Sequence, residues 1–234
     1  MDWRDIQKLY DNATDGDTIL LPPGEWNVYS TLNFTGKQVT IRGQGCVLIG
    51  DPQISPTVRF GDTYSALLEG VEIAGPENGD GLVIEGVSYS EIRRVWVRNC
   101  KRGVVVRSSM YLGWDSLVSA ECDEALVAES GCMSVQAFTN CTLVPNPSGV
   151  GIHISGVRGW NFYGGVIESK DIATAVQIDS MAEMGFYGTH WEVGRGDPFV
   201  VSEEAAKVSK VLVAGPSGNK IAWPVNEPWM RLVI

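Results

Sequence analysis

The sequence predicts an all-β fold, a single parallel β-helix of about eight coils with a short helix at its N-terminus. Three observations carry that prediction. Six short β-branched runs of one pattern, at 81–85, 103–107, 125–129, 151–155, 175–179 and 199–203, start 22, 22, 26, 24 and 24 residues apart. Further strand-like pieces lie between them, at 91–97, 117–120, 135–143, 162–167 and 186–193. No segment of helical period is long enough to cross over a doubly wound sheet, and the two-residue turns of a hairpin meander are missing. Such a period fits coils that each contribute two or three strands and stack on the next coil about 4.8 Å away.

The elements follow in chain order. Ile6, Leu9, Tyr10 and Ala13 keep helical spacing behind a possible Asp2 cap, so residues 2–13 read as an amphipathic helix. It would plug the exposed end of the first coil. The division expected is a cap over 1–17, the β-helix over 18–213 and an irregular tail over 214–234. The tail holds a Gly-Pro-Ser-Gly turn at 215–218, two later prolines, Trp223 and Trp229, and stays apolar to its end. It is expected to cover the last coil or to dock on a neighbour, because a disordered tail would be more polar.

Alternate residues of a strand face opposite sides. In the six-segment column the inward pairs are Leu82/Ile84, Val104/Val106, Leu126/Ala128, Ile152/Ile154 and Val176/Ile178. The outward columns are then Val83, Val105, Val127, His153, Gln177 and Val201, and beside them Glu85, Arg107, Glu129, Ser155, Asp179 and Glu203. Outward Val83, Val105 and Val127 would form an apolar stripe, the mark of an interface; plain strand propensity of valine is the alternative. In the second sheet a spacing of 24 aligns Phe138, Phe162 and Phe186, as well as Leu143, Ile167 and Trp191. Pointing the latter three inward turns the phenylalanines, His190, Glu168 and Glu192 outward. The opposite face would bury the glutamates at several kcal/mol each.

Near the N-terminus stand Gly16-Asp17-Thr18-Ile19-Leu20-Leu21-Pro22-Pro23-Gly24 and then Gln38-Val39-Thr40-Ile41-Arg42-Gly43-Gln44-Gly45. At these residues the chain resembles the right-handed parallel β-helix proteins of the pectate-lyase-like superfamily, over about residues 2–213. The resemblance implies right-handed coils and a superfamily that holds pectin-active lyases and hydrolases, alginate epimerases, phage tailspikes and non-catalytic structural proteins. Fold alone therefore assigns no function.

Hydrophobic residues at 44% and charged residues at 20% exclude wholesale disorder. Eighteen basic against 28 acidic residues, net charge −10, argue against bulk affinity for nucleic acid or an anionic membrane. No apolar stretch approaches the ~20 residues of a membrane span, and no secretory signal follows Met1. Cys46, Cys100, Cys122, Cys132 and Cys141 form no C-x-x-C pair and read as buried free thiols, with Cys100, Cys122 and Cys141 stacked inside the coil.

For chemistry, Glu168 and Glu192 on adjacent coils, about 5 Å apart, could act as a retaining glycosidase pair or hold a calcium ion. His190 could serve as general base, and Phe162 and Phe186 could stack on sugar rings. The alternative is a solvated acidic ladder beside packed aromatics. Asp179 near His153 is a second, weaker pairing. Arg93, Arg94, Arg98, Lys101, Arg102 and Arg107 are expected to bridge to Glu85, Glu91, Glu121 and Glu129 on neighbouring coils, or to take an acidic partner or phosphate. The superfamily's lyase-type Asp cluster and the polygalacturonase motifs are absent, so no cofactor is expected, with calcium considered only for a lyase. Two functional classes remain. One is a non-catalytic phage virion protein, a capsid decoration or tail-associated β-helix made in the host cytoplasm. It would be a homotrimer contacting other virion proteins such as the major capsid protein, with a cell-surface glycan as a further partner. Val83, Val105, Val127, Trp223 and Trp229 would then be interface residues. The other is a polysaccharide lyase or glycoside hydrolase.

Overall fold

A computed structural model of the chain describes residues 2–129, 131–132, 135–219, 221 and 223–233. The chain builds the expected right-handed parallel β-helix of about eight turns. Each turn feeds three ladders, and every pairing in them is parallel. The first ladder starts at Thr18–Leu20 and passes through Glu91–Arg93, Gln136–Thr139 and Ala182–Tyr187 to Met230–Val233. The second runs from Gly24–Val28 through Trp96–Arg98 and Val166–Ser169 to His190–Val193 and Ser217–Gly218. The third runs from Leu32–Thr35 through Asp80–Glu85, Arg102–Arg107 and Thr174–Ile178 to Phe199–Val201. Four strands, Thr40–Gly50, Leu67–Ala74, Val118–Ala128 and Thr142–Ile154, each serve two ladders.

The third ladder keeps the expected facing: Leu82, Val104, Leu126, Ile152 and Val176 line the interior, in register on successive coils. One slip occurs at the end. Gln177 pairs with Val200, so Val200 takes the outward place expected of Val201, and Phe199 enters the core. The added bulk of Phe199 fills the last coil against Phe186 and Trp191.

The second sheet corrects the sequence reading. Leu143, Ile167 and Trp191 do point inward, but so do Phe138, Phe162 and Phe186. The expected single strands are two strands apiece, broken at a corner. Ser116, Asn140, Gly164 and Gly188 occupy this corner on successive coils with φ between 52° and 65°. A left-handed residue there restarts the alternation, so Phe138 and Leu143 both face the core despite their odd spacing. Corner N–H groups continue the ladder: Asn140 donates to the Tyr163 carbonyl and Gly164 to that of Tyr187, at 3.0 and 2.8 Å. Inside, Trp114, Phe138, Phe162 and Phe186 stack with centroids 5.2, 4.4 and 4.9 Å apart.

Both ends are closed. Helix Trp3–Asn12 has the expected Asp2 cap, completed by Asp5, and buries Ile6 and Tyr10 over Phe34. Its C-terminal carbonyls are met by Lys37, whose Nζ donates to the carbonyls of Tyr10, Asp11 and Ala13 at 2.7 to 2.8 Å. At the other end the tail is more regular than expected. Met230–Val233 pairs with Lys210–Ala214, Trp229 is buried against Phe199, and Trp223 packs edge-on to Trp191. A second helix, Glu203–Val208, capped by Ser202, follows the last third-ladder strand. All five cysteines are free and buried: Cys100 and Cys122 stand at the same corner on adjacent coils, and Cys46 and Cys141 each start a second-ladder coil segment. Among the described residues no helix is long and apolar enough to cross a membrane.

Candidate functional site

The outer face of the third ladder is where charge converges. Asp80, Arg102 and Glu124 are in register on three successive coils, immediately before the repeat segments. Arg102 lies along both partners. Its Nε and Nη2 donate to the two Asp80 oxygens at 2.7 and 2.8 Å, and its Nη1 donates to Glu129 Oε1 at 2.7 Å. Arg107 Nε donates to the other Glu129 oxygen at 2.6 Å, and Arg59 pairs with Glu85 at 2.9 Å. Hydrogen bonding to Arg107 is the main reason the Glu129 carboxyl sits below the usual carboxylate range.

These ion pairs lie over the outward valines. Val83, Val105 and Val127 do point away from the barrel and touch one another, yet they are only 2%, 0% and 4% exposed. The open apolar stripe expected from the sequence is thus absent. Long charged side chains cover it with their aliphatic stems while keeping their heads in water.

One coil further, His153 is held between two carboxylates. Its Nδ1 meets Glu124 Oε1 and its Nε2 meets Asp179 Oδ2, each at 2.7 Å. Both nitrogens must carry protons to donate, so the ring is an imidazolium. The Glu124 hydrogen bond leads the causes that push its pKa up to about 9, against the opposing effect of burial. For Asp179 burial acts upward, but bonds from His153 and Gln177 outweigh it and leave the carboxyl below its ordinary value. The pairing ranked weaker in the sequence is therefore the better built one. Asp80 and Glu124 were missed, although their shared place in the repeat marks them as stacked neighbours of Arg102.

Two concavities meet beside this face, of about 550 and 630 Å³, both lined by Asn78 and Asp123. The first is walled by Arg102, Glu124, Glu129 and His153, the second by Glu77, Asn99 and Glu121. The arrangement can bind polar ligands through fixed charges.

The other expected pair also forms in part. Glu168 and Glu192 are in register on adjacent coils of the second ladder. Glu168 lies 3.4 Å from Lys170 Nζ, and Glu192 lies 3.0 Å from His190 Nε2. The aromatic platform does not form, because Phe162 and Phe186 are 3% and 0% exposed inside the coil. Trp229, expected at an interface, is likewise buried, and Trp223 is half-buried on the same end. Of the basic cluster, Arg102 and Arg107 pair with Glu129 on the neighbouring coil, as expected; Arg93 pairs instead with Glu91 of its own strand, and Arg94 and Arg98 turn to Glu69 and Glu72. Among the described residues no three His, Cys, Asp or Glu side chains are grouped to hold a metal ion.

No known family model matches the chain, and no curated protein sequence matches it. Solved structures share its fold. Tailspike protein 2 from Escherichia coli O157:H7 bacteriophage CAB120 superposes with a TM-score of 0.72 at 14% identity, covering 92% of this chain and 32% of that one. The ORF18 protein of Geobacillus virus E2 gives 0.61 at 11% identity, over the whole of this chain and 56% of that one. An alginate lyase from Paenibacillus sp. str. FPU-7 gives 0.56 at 17% identity, over 97% and 94%. This chain thus spans about a third of the tailspike and just over half of the virus protein. What it shares with all three is the right-handed parallel β-helix.

Proposed function

We propose that the chain is a phage virion protein, a capsid-decorating or tail-associated β-helix that acts through rigid protein contacts and forms a homotrimer. The observation that carries the reading is the ion-pair lattice on the third ladder. Asp80, Glu129, Glu124 and Asp179 are each committed to an arginine or to His153. Glycoside hydrolysis needs one carboxyl kept protonated near neutral pH, whereas Glu129 and Asp179 are shifted the other way. Such a surface keeps its shape and is suited to contact. The two phage proteins of like fold supply the setting.

The valines cannot serve a trimer as an exposed stripe, so a threefold contact on this face would meet the charged lattice above them. The test joins light scattering with an activity screen. A mass three times that of the chain, and no new reducing ends or unsaturated products from capsular, O-antigen, alginate or pectic polysaccharides, is expected. A stable monomer would remove the trimer. Cleavage lost in Glu124→Gln or Glu168→Gln would replace the reading with the second one.

That second reading is a polysaccharide lyase or hydrolase. It is favoured by one observation: the groove that holds His153 is a continuous polar concavity on a fold shared end to end with an alginate lyase.

A further inference from the structure

The first-ladder corner changes length along the solenoid. Between first and second ladders, residues 21–23 and 43–45 stand in the first two coils where Gly70 alone stands in the third. The wall therefore projects at the N-terminal end and steps back at Gly70. Gly70 has φ 70°, and a Cβ there would lie 3.5 Å from the Gln44 nitrogen. The step leaves a cavity of about 820 Å³, a size that suits a ligand or a short peptide segment.

Its chemistry is two-sided. Leu20, Leu21 and Pro23 form an aliphatic wall, with Leu20 68% exposed. Opposite stand Arg42 and Arg94, which share the single carboxylate of Glu69. Arg42 Nε lies 3.0 Å from a Glu69 oxygen, and Arg94 hydrogen-bonds the other oxygen through Nη2. Both Nη groups of Arg42, and Nε and Nη1 of Arg94, find no protein acceptor among the described residues. One guanidinium charge is thus uncompensated, in a chain of net charge −10. Glu69 is nearly covered, with 12% of its side chain exposed, while the arginines are 55% and 68% exposed and face the cavity.

We propose that this corner cavity docks a protein partner through a peptide segment in which an aliphatic side chain lies beside one carboxylate. The carboxylate takes the free guanidinium forks and the aliphatic group packs on Leu20 and Pro23. A peptide suits the cavity better than an acidic glycan. No aromatic ring lines it, and the outward column continues through Arg93, already paired with Glu91, to Asp115. A polyanion laid along the coil would meet that carboxylate. The proposal rests on the virion reading for the existence of a protein partner.

The test is a titration of the 15N-labelled full chain followed by NMR. The probes are acetyl-Ala-Leu-Glu-Ala-amide, the same peptide with Gln for Glu, sodium glucuronate and sodium sulfate. The Glu peptide is expected to shift the Gln44 and Gly70 amides and the Arg42 and Arg94 Nε–H signals saturably, with the Gln peptide at least about tenfold weaker. Arg42→Gln and Arg94→Asn should each abolish the shifts. Asn is chosen because Arg94 has φ 51°, which asparagine tolerates. Equal binding of the Gln peptide, or no shifts at these residues, overturns the proposal. Tighter binding of glucuronate transfers the site to a glycan, and an equal response to sulfate marks an adventitious ion only. Absent peptide binding leaves the virion reading standing, since polysaccharide cleavage and oligomeric mass decide that separately.

Discussion

His153 is a cation because its two nitrogens face Glu124 on the preceding coil and Asp179 on the following one, with Gln177 beside them. A raised pKa means the folded state holds the proton more tightly than the unfolded chain. The stabilisation is whole below the ordinary imidazole value of 6.5 and is lost as pH rises through about 9. His153→Gln should therefore lower stability by about 2 kcal/mol at pH 6 and by much less at pH 10, read from urea midpoints at both pH values. An equal loss at both would show that the ring serves by packing alone. Arg102→Met tests the lattice from the other side. It leaves Asp80, with 10% of its side chain exposed, without a partner. About 3 kcal/mol should be lost, and Asp80→Asn in the same chain should restore part of it. No recovery would mean that Arg102 covers the valines and does little else.

At the scale of the element, the corner between first and second ladders decides which side chains form the core. Its left-handed residue makes two inward-facing strands out of one run of sequence. The neighbouring corner position is the tighter one. Gly165 has φ 76° and a Cβ on it would meet the Cys141 carbonyl oxygen at 2.2 Å, whereas one on Gly188 would meet nothing within 4 Å. Gly165→Ala should cost about 3 kcal/mol or prevent folding, and Gly188→Ala only about 1 kcal/mol of backbone strain. Similar denaturation midpoints for the two would overturn the assignment of the corner as a close-packed element.

For the whole molecule, a solenoid is stable only if its end coils are covered. Trp229 and Trp223 do this at the C-terminal end, over Phe199 and Trp191. Trp229→Ala should remove about 3–5 kcal/mol and raise binding of a hydrophobic dye, with the last coils protected least from hydrogen exchange. If the mass of the variant changed while its stability did not, Trp229 would be an interface residue after all.

The period of 22 to 26 residues was enough to read the parallel coil, because each turn of a solenoid repeats the same burial problem at the same interval. The inward rows of the third ladder and the Glu168–Glu192 register were legible for the same reason, and the N-terminal cap from the helical spacing of its apolar residues behind Asp2. Alternation within one strand depends on unbroken strand geometry, so the inward turn of Phe162 and Phe186 was not legible. A single left-handed residue cancels the alternation, and at Ser116 nothing in the residue type announces one. The sequence also displayed the outward valines but not their covering. That depended on where Arg59, Arg102 and Arg107 lay down, and such side chains choose among partners brought close only by stacking. Periodic burial determined the architecture from the sequence alone; the corners and the charged lattice were decided by the packed coil, where residues more than twenty positions apart become neighbours.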